Sequence, residues 1–533
     1  MTERANALVE SWESRWLPLR DARAQALDQL ARTGSEQAMR TLATCLTALD
    51  RLHAEAHWMD AVFDSLLEPQ DDPALEARLL RLLKEVSACQ GGLSALERQR
   101  ELEAECLRLN WSWRCPDTGS SLPELERALL ATRDPEPREA LWRKARAAGR
   151  ELAVLRVTLE QVRRQRAIEL GYGDARAMRL GLGGIDPETL DAQCQFLERL
   201  SRSAWEQART DLAGQLGFSD PACWDFGDTL DANWLVSELT PLPGEVTARA
   251  CLEFGRDLLD SLGLPMELVA RVRCMAESTH TAPRDLCLLP GLGEPVIHHP
   301  GGDGLRLPRF LKGLGGGLGL FLADPEHSPC LRDTESILVE SLALMLARLA
   351  DRGQLLAPWL PAGITIPANP ALRSLRLYRL RRMLRDQRFE AVFCADPDQD
   401  PDALFHSLDQ ELLWGPHARS GPAGAWAAGH WPTGGALPPA EQVIAELASW
   451  QMDAAMSRDL ECEDSAIGWL QAGPAAGGWL ADRLIVTLGE TAFEDQLEDL
   501  CGQPLNSRPF CLALNLLPQA GEAEADEDPD LPA

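Results

Sequence analysis

Long apolar runs are missing from this sequence, and none approaches the ~18–20 residues that a membrane-spanning helix requires. The 533 residues carry a formal net charge of −30, and a field of that sign repels the phosphates of nucleic acids and of anionic membranes. The segment Met1–Arg15 is polar and acidic, unlike a secretory signal. We therefore expect a cytoplasmic protein whose partners include neither nucleic acid nor a membrane.

Closely spaced cysteine pairs are missing as well. The fourteen cysteines are scattered along the chain and include no Cys-x-x-Cys pair. In a long chain without a secretory signal, this distribution predicts reduced, mostly buried thiols rather than a disulfide framework. Cys394, Cys501 and Cys511 stand in apolar runs, so we predict that they pack in the core.

Several catalytic motifs are also absent. The chain contains no His-Glu-x-x-His motif and only two tyrosines, Tyr172 and Tyr378. Five glycines lie between Gly313 and Gly319, but they match neither G-x-x-x-x-G-K-[ST] nor G-x-G-x-x-G, so we reject nucleotide binding. No set of residues supports a Ser-His-Asp or Cys-His catalytic centre.

Two histidine pairs were weighed as metal ligands. His53 and His57 have the i, i+4 spacing of a clamp on one helix face, but Glu55 stands in the wrong position for the zinc-peptidase pattern. His298 and His299 are adjacent in a predicted strand, where neighbouring side chains point to opposite faces. We interpret both pairs as structural.

Helical signals dominate the sequence. Asp-Pro recurs at positions 72, 134, 186 and 400, each time before an amphipathic stretch, and Asp can cap a helix whose first residue is proline. The leucine spacing after Pro73 and similar patterns predict an N-terminal lobe of long antiparallel helices. The predicted helices cover about 2–32, 36–69, 136–170 and 186–216, together with the one that starts at Pro73.

The middle of the chain has a different pattern. Short apolar runs between glycines and prolines at 284–311 predict a few strands, and helices are predicted again from Thr334 to about residue 410. A loop rich in Gly, Pro and Trp is predicted at 415–439. We predict an N-terminal helical lobe at 1–160, a second helical region with the small sheet at 161–515, and an acidic disordered tail at 516–533.

Four segments resemble those of one peptidase superfamily. Residues 162–180, with Gly171-Tyr172 between two helices, are similar to its "LGY" segment, and residues 384–404 resemble its "FERALYADPDQDLNALW" block. Residues 430–436 and 488–505 resemble its histidine-containing and closing segments. The four occur in family order, so the chain resembles the zinc metallopeptidase superfamily of oligoendopeptidase F, thimet oligopeptidase and angiotensin-converting enzyme.

This resemblance implies a mainly α, two-lobed, neurolysin-like fold with a deep central channel and a small β-sheet. It also implies the activity of a zinc-dependent peptidase of short peptides. In that family one helix carries His-Glu-x-x-His, and the next helix supplies a third ligand, a glutamate. Tyrosine and histidine side chains near the C-terminus stabilise the oxyanion.

The catalytic groups are missing at the matching positions. The family's two histidines fall on Gly316 and Leu320, and its general base falls on Gly317. Because each glycine costs a helix about 1 kcal/mol relative to alanine, we expect this helix to be shortened or replaced by a loop. The family's tyrosine segment falls on 436–442, which contains neither tyrosine nor histidine.

Four residues stay as candidates for lining the channel. Glu335 best matches the third zinc ligand and is the only vestigial metal candidate, and Glu340 lies about one turn further on. His430 and Trp431 lie in the loop that faces the expected channel, and Trp414 and Trp426 were weighed there as stacking platforms or loop anchors.

The loss of the zinc ligands, the base and the tyrosine segment predicts a catalytically inactive pseudopeptidase. We expect it to bind no cofactor, whereas the parent family binds zinc. Its expected role is binding or regulation, with a peptide, a segment of a protein or an active paralogue as partner. Two alternatives stay open. One is an active zinc oligopeptidase in which Glu335 acts with His298, His299 or His430, and the other is a structural subunit with a collapsed groove.

Overall fold

The computed structural model describes residues 2–67, 72–132, 134–216, 222–226, 248–275, 286–288, 296–300, 306–321, 337–351, 372–415, 421–428, 437–462, 468–485 and 492–517. Most of these residues are helical, so the predicted mainly α fold is confirmed. Among the described helices, none combines the length and the hydropathy that crossing a bilayer requires. The predicted acidic tail lies outside the described residues from position 518 onward.

Helices α1–α10 form the N-terminal part of the chain. They span Thr2–Thr33, Glu36–His53, Ala56–Leu66, Pro73–Ala88, Leu93–Ser112, Leu122–Ala131, Pro135–Arg146, Gly149–Glu169, Ala175–Leu182 and Pro187–Leu216. The long predicted helices at 2–32 and 186–216 correspond to α1 and α10.

Two other predicted helices are wrong in extent, because each is interrupted. The helix predicted at 36–69 is divided into α2 and α3, since Ala54 caps the end of α2 and Glu55 has extended backbone. The helix predicted at 136–170 is divided into α7 and α8. Here the chain turns before Gly149, where a Cβ atom would lie 1.9 Å from the carbonyl oxygen of Gly424. Hydrophobic periodicity continues across both breaks and does not reveal them.

Helices α11–α21 complete the described chain. They span Cys223–Phe226, Ala248–Ser261, Glu267–Ala270, Arg306–Phe321, Ile337–Ala347, Leu372–Ala395, Pro401–Leu408, Pro439–Asp459, Pro474–Trp479, Phe493–Cys501 and Arg508–Ala513. Short 3₁₀ or π segments lie at Arg348–Asp351, Asp409–Trp414, Ala425–Ala428, Gly468–Ala472 and Leu480–Ile485.

The Asp-Pro pairs begin helices, as the sequence predicts. Asp72, Asp186 and Asp400 each accept a backbone N–H of the following first turn at 3.0 Å, ahead of α4, α10 and α17. Asp134 precedes α7 without such a side-chain bond. Each of the first three carboxylates satisfies a backbone donor that has no partner within the helix.

A small sheet contains strands β1, β2 and β3 at Val272–Met275, Leu286–Leu288 and Val296–Pro300. The order is β1-β3-β2, with β1 parallel and β2 antiparallel to β3. In the backbone register, His298 lies opposite both Arg273 and Leu286.

The last of the strands predicted within 284–311 is wrong, because residues 306–311 begin helix α14. The apolar residues Leu307, Phe310, Leu311, Leu314 and Leu318 recur three or four positions apart, and each is at most 1% exposed. That spacing produces one buried helical stripe, which stabilises the helix despite its glycines.

The apolar core is continuous through helix α18. One hydrophobic cluster contains α14 and α15 with α12, α13, α19 and α20, and a second contains α10, α16 and α21. Helix α18 contributes Ala448 and Met452 to the first cluster and Val443 and Leu447 to the second. A third cluster contains residues of all four helices from α1 to α4. The cores of the C-terminal helices therefore share a central element.

The domain limit predicted after residue 160 lies inside α8. Arg163 and Arg166, which follow that limit, donate hydrogen bonds to Glu103 and Gln99 of α5, which precede it. The division into 1–160 and 161–515 stays a prediction.

Candidate functional site

The resemblance places the lost zinc site in helix α14 and at Glu335, two positions before the start of α15. Gly316 and Gly317 are buried within a continuous α14, and Leu320 lies in its last turn. The expectation of a shortened helix or a loop is therefore wrong. The buried stripe of α14 packs with Leu338 and Leu342 of α15 in one apolar cluster, which offsets the low helix propensity of glycine.

One glycine of this run has a direct packing role. A Cβ atom at Gly315 would lie 2.7 Å from the Cα atom of Ala343 and 3.0 Å from the carbonyl oxygen of Leu342. Both atoms belong to the backbone of α15, so no side-chain rotation relieves the overlap. Gly315 thus allows the two helices to approach backbone to backbone.

Replacing Gly315 with alanine is expected to destabilise the protein by up to about 2 kcal/mol. Overpacking a core costs roughly 1–3 kcal/mol, whereas the higher helix propensity of alanine returns only about 1 kcal/mol. The free energy of unfolding in urea measures the loss. Gly214→Ala is the matched control, because Gly214 is exposed on α10 and a Cβ atom there meets nothing within 4 Å. Equal stability of the two variants would contradict this packing role.

A salt bridge crosses the same helix pair. The Nζ atom of Lys312 on α14 lies 2.8 Å from Oε1 of Glu340 on α15, and both side chains are roughly a quarter to a third exposed. Glu340 is one of the residues that the sequence predicts for the channel wall, and it has an ammonium group as its partner. Lys312 was not identified from the sequence, although it lies one helical turn before Gly316.

The remaining predicted site residues lie outside the described part of the chain. They are Glu335, His430 and Trp431, so whether they converge with Gly316 and Leu320 on one wall stays a prediction. Of His298 and His299, the structure describes only the backbone, as consecutive residues of β3. Within the described residues, no three His, Cys, Asp or Glu side chains are grouped as metal ligands.

His53 and His57 do not form a clamp on one helix face, in agreement with their structural interpretation. His53 ends α2 and is buried, whereas His57 belongs to α3 and is mostly exposed, beside Glu55 at 3.7 Å. The turn at Ala54 separates the two imidazoles, so they do not share one helix face.

Two of the tryptophans weighed as stacking platforms are loop anchors. Trp414 packs against Trp205 and Tyr378, and Trp426 packs against Phe389 and Phe393. Both indole rings are 3% exposed, so neither surface is accessible to a peptide. The cysteines Cys394, Cys501 and Cys511 are free and buried, as the sequence predicts.

A buried pair of carboxylates joins three helices. Nη2 of Arg179 on α9 lies 2.8 Å from Oε1 of Glu390 on α16 and 3.1 Å from Oε2 of Glu441 on α18. The backbone N–H of Ala440 donates to the second Glu390 oxygen at 3.1 Å. Burial raises the pKa of the Glu390 carboxyl, and Arg179 opposes that rise.

Paired carboxylates are a common acid–base device. Here the oxygens of Glu390 already accept bonds from Arg179 and from the backbone, and its side chain is 1% exposed. The arrangement therefore serves as a structural connection between α9, α16 and α18. No motif in the sequence indicates it, because the three residues lie far apart along the chain.

Comparison with models of protein families and with curated proteins gives no match to this sequence.

Proposed function

We propose that this chain is a pseudopeptidase, a non-catalytic protein on an oligopeptidase-like, two-lobed helical scaffold that binds a peptide or a segment of a partner protein in its channel. The order of the four similar segments supports the scaffold. The mainly α fold is compatible with it, and so is the pairing of α14 with α15, which correspond to the family's two ligand-bearing helices.

The observation that carries the proposal is the composition and packing of α14. Zinc-dependent hydrolysis uses two imidazoles from one helix and a carboxylate that takes a proton from the metal-bound water. The matching positions of α14 are Gly316, Gly317 and Leu320, which offer no ligand atom and no base. Gly315 allows the backbone of α14 to lie directly against that of α15. Lys312 forms a salt bridge with Glu340.

The charge of the chain indicates the chemistry of the ligand. A net charge of −30 attracts cationic peptides and repels acidic ones. The sequence predicts Glu335, Glu340 and Trp431 for the wall of the proposed channel, where they would offer carboxylates and an aromatic surface. A basic, extended segment of about the length of an oligopeptidase substrate is the ligand that fits these groups, and an active paralogue is a further candidate partner.

Absence of peptide hydrolysis is the first expected result. The full-length protein, supplied with stoichiometric zinc, is incubated with a set of fluorogenic octapeptides, and cleavage is followed by mass spectrometry with and without a chelator. We expect no chelator-sensitive cleavage. Zinc-dependent turnover that disappears in Glu335→Ala would overturn the proposal and establish the displaced-ligand enzyme instead.

Peptide binding is the second arm of the test. Fluorescence anisotropy of labelled octapeptides is expected to show saturable binding of basic peptides and none of acidic peptides. Trp431→Ala and Glu335→Gln should each weaken binding about tenfold, as expected for an aromatic anchor or a desolvated charge. Glu188→Gln, an exposed carboxylate on α10, is the control and should have no effect. Absence of any saturable binding would favour the structural-subunit alternative.

A further inference from the structure

A polar cavity of about 230 Å³ lies among the N-terminal helices, apart from α14 and α15. Helices α1, α2, α4, α5, α8 and α9 contribute its walls, and the cavity is partly open to solvent. Its volume far exceeds the roughly 10–15 Å³ that a single water molecule requires. Its charged and titratable lining residues are Arg20, Arg23, Arg81, Arg100, Arg166, Asp50, Glu85, His53 and Cys89.

Arginines outnumber carboxylates in this lining, in a chain whose overall charge is strongly negative. Some of the arginines are paired. Arg100 holds Asp50 through two bonds of 2.6 and 2.9 Å, and Arg81 lies 2.8 Å from Glu85 on the same helix. Arg20 in turn lies 3.1 Å from Asp21 of the same helix. Both lining carboxylates, Asp50 and Glu85, are therefore already paired with an arginine.

Arg166 differs from these paired arginines. Its side chain on α8 is 3% exposed, and its two Nη atoms donate to the neutral oxygens of Gln99 and Ala88 at 2.5 and 2.6 Å. Its Nε atom has no hydrogen-bond partner, and none of the described carboxylates lies within salt-bridge distance of it. Burial lowers the pKa of this guanidinium, because a buried cation loses its hydration.

His53 presents a second polar atom without a partner. Its side chain is 3% exposed and packs beside Trp12, with ring centroids 6.0 Å apart, and its Nε2 atom has no hydrogen-bond partner. Burial lowers the pKa of His53, Glu85 and Asp50 raise it, and Arg81 lowers it further. Arg20 and Arg23 of α1, Arg100 of α5 and Arg166 of α8 face the same cavity.

We propose that this cavity binds a small tetrahedral oxyanion, a phosphate group, through Arg166 and His53. Guanidinium groups match the geometry of phosphate oxygens, and their charge-assisted hydrogen bonds are about twice as strong as neutral ones. Donors reach the cavity from several helices and therefore from several directions, which suits a tetrahedral anion better than a planar carboxylate. The volume leaves room for a small organic group on the phosphate.

The neighbouring thiol does not oppose an anion. Burial raises the pKa of Cys89 to about 12, with Asp50 and Glu85 contributing to the rise, so the thiol stays neutral at physiological pH. An anion beside His53 favours its protonated form, and binding is therefore coupled to proton uptake.

Calorimetric titration of the full-length protein tests the proposal with inorganic phosphate, glycerol phosphate, sulfate and acetate. We expect saturable binding of phosphate and sulfate, with acetate at least about tenfold weaker, because it offers fewer oxygens and less charge. Tighter binding of glycerol phosphate than of phosphate would identify the ligand as an organic phosphate. Acetate that binds as well as phosphate, or no saturable binding at all, would overturn the proposal.

Variants locate the binding site. Arg166→Gln should weaken phosphate binding at least about tenfold, since it removes one charge-assisted contact. Arg156→Gln removes another buried arginine of α8 that does not line the cavity, and it should change the affinity less than about twofold. Equal weakening by both variants would show that the effect is structural and would refute the assignment.

His53→Gln provides a test that survives if Arg166→Gln does not fold. Sulfate does not titrate between pH 5 and pH 8, so any change in its affinity reports on the protein. In the natural sequence, sulfate affinity should rise at least about threefold as the pH falls through this range, because His53 gains a charge. His53→Gln should remove that dependence. A dependence that persists in His53→Gln would refute the role of this histidine.

Discussion

Replacing Arg138 with methionine is expected to destabilise the protein by about 3–5 kcal/mol. The Arg138 side chain on α7 is fully buried and forms an ion pair with Asp225 on α11, which also accepts the backbone N–H of Ala222 at 2.8 Å. Methionine fills a similar volume but leaves the buried carboxylate without its cation. Urea denaturation monitored by tryptophan fluorescence measures the loss.

The control for this prediction lies on the same helix. Arg143 pairs with Glu139 at 2.9 Å near the surface of α7, and pairs of that kind contribute about 0–1 kcal/mol. Arg143→Met should therefore leave stability nearly unchanged. The double variant Arg138→Met with Asp225→Asn should recover part of the loss, since the uncompensated charge is removed. A loss below about 1 kcal/mol for Arg138→Met alone would contradict the importance of the buried pair.

Replacing Glu103 with glutamine should lower the free energy of unfolding by about 3 kcal/mol at pH 7. This difference should become smaller in acid. Glu103 on α5 contacts Arg100 at 2.7 Å and Arg163 of α8 at 2.8 Å, and its side chain is 20% exposed. Burial alone would raise the pKa of Glu103, but Arg100 and Arg163, together with hydrogen bonds from Arg163 and Gln99, lower it to about 2.

The direction of the pH effect follows from that shift. A carboxyl whose pKa is depressed in the folded state stabilises the fold above its unfolded pKa of about 4.3. This contribution is lost as the pH falls from about 4.3 towards 2. The stability difference between the natural protein and Glu103→Gln, measured in urea at pH 7, 5, 4 and 3, should be constant at the first two values and then shrink.

Glu105→Gln is the matched control. Glu105 is half-exposed on the same helix and pairs with Arg108, so its contribution is that of a surface ion pair, about 1 kcal/mol or less. A difference for Glu103→Gln that stays the same at pH 3 would show that glutamine disturbs packing rather than charge.

Sequence patterns predicted those elements whose signals are local. Asp72, Asp186 and Asp400 fix the starts of α4, α10 and α17, because a capping carboxylate and a proline act within one turn. The break at Ala54 was missed, since apolar spacing continues from α2 into α3. Helix α14 was also missed in part. Its glycines have a low helix propensity, so the local sequence argues against a helix. Only the close packing of α14 against α15 accounts for glycine in this helix.

The sites were predictable to a smaller degree. The resemblance located Gly316 and Glu340 on neighbouring helices, but the Lys312–Glu340 contact depends on how those helices pack. The lining of the polar cavity comes from helices that lie far apart in sequence. Arg166 and His53, for instance, belong to α8 and α2, and no linear motif brings them together.

The connection between Arg179 and Glu441 has a consequence for how the protein is made. Its two partners lie 262 residues apart, so a ribosome that adds about 5–20 residues per second needs roughly 13–50 s to supply the second after the first. During that interval the charged side chain of Arg179 on α9 lacks its partner on α18. The connection of the N-terminal helices to α18 can therefore form only late in synthesis, after most of the chain has left the ribosome.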